Sequence, residues 1–147
     1  MGGFHAAHLI ALGAWLGLVL AEVVTEVAAR RNPAWAPTVA LLHKAYDLYV
    51  EIPILAAVVI SGVLLFLRTP YDALLGLKVV CGLFAVGINV VCIFWVLGRA
   101  RAVEFEDDDA RRVALESGTR RVFLAFYLGF PAATAALIMG GLRAGWW

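Results

Sequence analysis

Four long apolar runs, separated by short polar or proline-bearing segments, dominate the chain. The first covers residues 4–29 and closes on Arg30-Arg31-Asn32-Pro33, with a loop expected over 33–37. The second covers 39–67 and stops at Arg68-Thr69-Pro70. The third covers 71–101, and a polar segment follows it: Glu104-Phe105-Glu106-Asp107-Asp108-Asp109, then Arg111-Arg112. The fourth covers 117–142 and leaves a short tail ending in Trp146-Trp147. Each run exceeds the ~20 apolar residues that a helix needs to cross a bilayer. Short first and second connections set neighbouring helices antiparallel. The pattern therefore predicts an all-α integral membrane protein, an antiparallel up-down four-transmembrane-helix bundle, with residues 1–147 as a single membrane domain.

The polar positions inside the runs carry the functional information. His43, Asp47 and Glu51 recur every four residues, so they form one stripe on a helix. Pro53 follows two positions later. Glu22 and Glu26 lie in the preceding run, one turn apart. Ionisable groups at membrane depth are costly, so they mark function by default. Antiparallel packing puts Glu26 level with His43 and Glu22 level with Asp47, with Glu51 one turn deeper. Asn89 and Cys92 of the third run and Tyr127 of the fourth are expected at similar depth. Each run also has one polar-marked seam. These are His8, Leu12, Trp15, Val19, Glu22, Glu26; His43, Asp47, Glu51, Ile54, Val58; Lys78, Ala85, Asn89, Cys92; and Tyr127, Pro131, Thr134, Ile138. All four seams are expected to face one interior.

Composition agrees with the pattern. The chain is 63% hydrophobic with a mean hydropathy of +0.89, against about 45–50% apolar for soluble domains. A net charge of +1, with no dense basic stretch, speaks against a nucleic-acid partner. The first run is too long for a cleavable leader and lacks a basic start. Cys81 and Cys92 sit eleven residues apart on one predicted helix, roughly 16 Å along its axis. A disulfide between them is excluded, because it needs Cα atoms within about 7 Å. Arginine and lysine concentrate beside the first and third loops. The positive-inside rule then places those loops in the cytoplasm and both termini outside, in a bacterial-type inner (plasma) membrane. Trp146 and Trp147 suit an outer interfacial belt. Gly13 and Gly17 form a small-xxx-small pair of the kind used in helix contact, including homo-oligomers.

The sequence leaves three chemical readings open. Carboxylates and an imidazole suit a divalent transition metal, with Glu22, Glu26, His43, Asp47 and Glu51 as candidate ligands and Asn89, Cys92 and Tyr127 as supporting polar groups. The same acids serve equally as a proton relay. Alternatively they pair with Arg30, Lys44, Arg99, Arg120 or Arg121, and the protein is a non-catalytic subunit or scaffold.

A further reading rests on a resemblance. His8-Leu-Ile-Ala-Leu-Gly-Ala-Trp15-Leu-Gly17 resembles the first helix of the copper-resistance protein D domain and of the HemJ-type protoporphyrinogen oxidase. Leu77-Lys78 is similar to the Lys-Leu pair that opens the third HemJ-type helix; of the asparagine-glutamate-proline element that opens the fourth, Phe130-Pro131 shares only the proline. Eleven residues after Lys78 that family carries a histidine, whereas this chain has Asn89. The resemblance implies a haem-binding membrane oxidoreductase or a copper-handling protein, with His8 and Lys78 at the cofactor. Spacing along the helix separates His8 from His43, so the two candidate sites are expected at opposite ends of the bundle.

Overall fold

The computed structural model describes residues 3–144, and no strand occurs among them. Four helical spans are long and apolar enough to cross a membrane: Gly3–Arg31, Pro33–Phe66, Ala73–Glu104 and Asp108–Leu142. The first is α1 (Gly3–Arg31). The second is composite: a 3-10 turn (Pro33–Trp35), α2 (Ala36–Tyr46), a π turn (Asp47–Glu51) and α3 (Ile52–Phe66). The third and fourth are α4 (Ala73–Arg101) and α5 (Asp108–Ala144). Trp146 and Trp147, assigned above to an interfacial belt, lie outside the described residues.

Local chemistry sets the ends. The expected loop at 33–37 is helical instead. The Asn32 side chain accepts the Ala34 N–H, and Pro33 and Pro37 each occupy a first turn, where a proline's missing N–H has no partner to lose. Asp72 caps α4 by accepting the Leu75 N–H at 2.7 Å. The acidic run heads α5. Asp107 accepts the Asp109 N–H on its side chain and the Arg111 N–H on its carbonyl. Asp108 and Asp109, paired with Arg111 and Arg112, then lie in the first turn, where negative charge suits the helix dipole. The helix therefore begins well before the expected residue 117.

The core joins all four spans: Trp15 from α1, Leu55 and Val58 from α3, Ala85 from α4 and Ala133 from α5. Large apolar side chains such as Ile10, Val24, Leu83, Phe94 and Leu124 point outward. Helices that are apolar all round, with only one face packed, are what a lipid surround requires. Gly13 and Gly17 are exposed, and a Cβ at either would meet nothing within 4 Å. The small-xxx-small pair therefore faces away from the other three spans.

The seam expected for the fourth span is not the packed one. Tyr127 is 67% exposed, and Pro131 and Ile138 are exposed as well. Thr134 is half-buried, but its hydroxyl donates to the Phe130 carbonyl of its own helix. The packed line is Gly118, Val122, Ala125, Gly129, Ala133, Ala136 and Gly140, each buried or half-buried. Its steps of three and four and its small side chains allow α4 to approach closely. The polar residues of this helix do not mark its packed face, because close backbone approach outweighs one hydroxyl.

Candidate metal centre

The stripe on the second span is held together by its proline. Pro53 lacks an N–H, and its ring opposes the carbonyl four residues back, at Tyr49. The chain widens there into the π turn, whose Ile52 N–H reaches the Asp47 carbonyl. Turns of this kind recur at functional sites. In a regular α-helix each four-residue step drifts about 40° around the axis. The wider turn takes up that drift between Asp47 and Glu51. His43, Asp47 and Glu51 consequently all stay buried, at 3%, 1% and 2% exposure.

Glu26 is the hub of the first half of the site. Arg99 grips it with both arms of its guanidinium, Nη1 to Oε2 at 2.7 Å and Nη2 to Oε1 at 2.5 Å. Arg99 Nη1 also donates to Thr119 Oγ1 at 3.1 Å, and His43 Nδ1 lies 2.8 Å from Glu26 Oε1. One polar group from each span thus meets at a single carboxylate. Gly118 makes this possible: a Cβ there would fall 2.5–2.8 Å from the Arg99 side-chain carbons. Arg99 reaches Glu26 through the notch that this glycine leaves in α5.

The second half of the site lies across the imidazole. Glu22 Oε2 and Asp47 Oδ1 are each 3.5 Å from His43 Nε2. Donor atoms of Glu22, His43 and Asp47, all buried, lie within 4.8 Å of one another, a spacing one metal ion can bridge. Neither Asp47 oxygen accepts a hydrogen bond, and neither does Glu22 Oε1. Buried polar atoms are almost always partnered, so these oxygens need a proton, a water or a cation.

The expected depth order holds as far as these contacts go. Glu26 meets His43, and Glu22 and Asp47 share the other ring nitrogen. Glu51 is not one of the three converging donors, and it accepts the Trp15 Nε1–H at 3.0 Å. A cavity of about 40 Å³ adjoins the group, with Trp15, Glu22, His43, Glu51, Asn89 and Cys92 in its wall. One water needs roughly 10–15 Å³ on this measure. Asn89 Nδ2 is buried there without a hydrogen-bond partner. Tyr127, placed by spacing at this depth, points outward and takes no part.

Of the cations considered as partners for the acids, Arg99 alone is engaged with them among the described residues. Lys44, Arg120 and Arg121 are exposed, and Arg30 lies over the Phe123 ring, 5.0 Å from its centroid. Nothing on its own helix singles Arg99 out from these five; the glycine at 118 on α5 does.

His8 belongs to another neighbourhood. Its Nδ1 lies 2.9 Å from Ser61 Oγ, and its ring packs against the backbone at Gly62. The Ser61 hydroxyl also lies within hydrogen-bond reach of the Ala57 and Val58 carbonyls. Lys78 runs beside Gly140 of α5, where a Cβ would come 3.0 Å from its Nζ. Comparison with protein-family models, with curated proteins and with solved structures found no match to this chain.

Proposed function

We propose that this protein spans a membrane as an antiparallel up-down bundle and binds a divalent transition-metal ion at Glu22, His43 and Asp47, for transport or storage. The observation that carries the reading is the buried three-donor group with carboxylate oxygens lacking any hydrogen bond. Charge supports it. Arg99 offsets Glu26, which leaves Glu22 and Asp47 beside one histidine and Glu51 buried nearby. Uncompensated charge in a low-dielectric interior is strongly disfavoured, and a divalent ion supplies the compensation. Two oxygens and one nitrogen suit zinc, iron or manganese better than a soft cuprous ion. Three protein donors leave a position open, as exchangeable sites do, and the adjoining cavity has room for a water there. Glu26 and Glu51 support the centre instead of ligating it. The charge bias of the loops favours an inner plasma membrane with both termini outside.

Metal analysis of the purified full-length protein after loading with zinc, manganese or ferrous ion tests the reading. Stoichiometric metal is expected for wild type and near none for a Glu22→Gln/Asp47→Asn variant. Equal metal in the two sinks it.

A second reading follows the resemblance to the copper-resistance protein D and HemJ-type families. Ser61 Oγ has backbone carbonyls to donate to, so His8 Nδ1–H can donate to it and leave Nε2 as a lone pair for a haem iron. Lys78 would stand by as the second cofactor contact. A visible spectrum decides: a colourless preparation from haem-replete cells rejects this reading and leaves the metal reading intact.

A further inference from the structure

His43 Nδ1 and Glu26 Oε1 are 2.8 Å apart, and such a contact needs a hydrogen between the atoms. Glu26 has none to offer. Both of its oxygens already accept from Arg99 at 2.5 and 2.7 Å, the bidentate geometry of an ionised carboxylate. The proton therefore sits on Nδ1. Arg99 Nη2 also approaches Nδ1, at 3.3 Å, but its nearer partner is the carboxylate, and a protonated Nδ1 has no lone pair to accept with. With Nδ1 committed to Glu26, the nitrogen that faces Glu22 and Asp47 is Nε2.

We infer that Glu26 and Arg99 are positioning residues: they fix His43 with its proton on Nδ1, so that Nε2 is the nitrogen presented to an ion held by Glu22 and Asp47. This deepens the metal reading and rests on it for its function, but the proton position stands independently of any metal. Arg99 does two things at once. It keeps Glu26 an acceptor, and through Thr119 and the Gly118 notch it fixes the carboxylate against α5. Ring orientation in the centre is thereby tied to the packing of α4 on α5, and groups that orient a metal-binding histidine in this way strongly raise its affinity. The proposal also gives Glu26 a role distinct from that of Glu22, although the two are one turn apart with the same chemistry.

Histidine-selective ¹⁵N spectroscopy on the full-length protein in nanodiscs provides the test, with His5→Gln and His8→Gln variants to assign the signals. In wild type without metal, His43 Nδ1 is expected to carry a proton. On adding Zn²⁺, Nε2 is expected to shift while Nδ1 keeps its proton. An unprotonated Nδ1, or coordination through Nδ1, overturns the inference. A protonated Nδ1 with no response to Zn²⁺ supports the proton placement and instead counts against the metal reading. Zn²⁺ affinity gives the second measurement. Glu26→Gln is expected to weaken it about 10–100-fold, with Arg99→Lys in between, because the charge survives and the fork does not. Unchanged affinity in Glu26→Gln overturns the positioning role. The wild-type spectrum needs no variant at the site, so the inference stays testable if either substitution prevents folding.

Discussion

The two polar neighbourhoods of this bundle differ in what surrounds their histidines. His8 meets a hydroxyl on α3, in a half-buried setting beside Gly62. His43 is 3% exposed and meets three carboxylates, one of them gripped by an arginine. Each histidine has a partner at Nδ1. Only around His43 do acidic groups converge on the other nitrogen. A histidine in a long apolar helix is therefore not informative by itself. The anionic oxygens around it, and whether they have other partners, decide what it can bind.

Substitutions at the two ends sharpen or break this contrast. The largest effect is expected from Arg99→Met. It leaves Glu26 ionised and buried without its partner, which costs about 3–5 kcal/mol. Thermal unfolding in detergent would read it, and a loss under 1 kcal/mol would mean that water reaches the site and the buried pair is not what holds this end together.

Gly118→Ala comes next. Its Cβ would collide with the Arg99 chain, and overpacking of this kind costs about 1–3 kcal/mol. Zinc affinity should fall with stability. If the variant is as stable as wild type, Arg99 has another route to Glu26.

Asp47→Asn tests the opposite sign. With Glu22 and Glu51 buried nearby and no hydrogen bond to either Asp47 oxygen, removing this charge should stabilise the metal-free protein, while abolishing metal binding. A scaffold role for the acids predicts destabilisation instead, so the sign of the shift in unfolding temperature separates the two readings. Ser61→Ala, at the other end, should cost only about 0.5–1.5 kcal/mol, the net worth of an ordinary hydrogen bond, and leave metal content unchanged.

The smallest effect is expected from Gly13→Ala. Nothing lies within 4 Å of the added Cβ, so the monomer should gain slightly from better helix propensity. Size-exclusion profiles compared with wild type would expose any homo-oligomer that uses this face: loss of a larger species means that the glycine pair packs against a second copy.

The sequence by itself determined the four spans, the stripe of His43, Asp47 and Glu51, and the pairing in depth of Glu22 and Glu26 with its first members. Those features depend on hydropathy and on residue spacing along single helices, and both are local. It also offered Pro53, whose missing N–H lies behind the π turn that keeps Glu51 in line. Tertiary structure decided the rest. It rotated α5 so that its small residues face α4 and Tyr127 faces outward, because in a helix that is apolar all round close packing sets the rotation, and the polar positions do not mark it. It also chose Arg99 from among five candidate cations and Glu26 from among four buried carboxylates. That choice depends on which side chain has an unobstructed path, and Gly118 on a different helix supplies the path. Spacing could place five ionisable groups near one depth; only the packed bundle sorted them into a three-donor group of one imidazole and two carboxylates, one carboxylate that holds the ring, and one that borders the cavity.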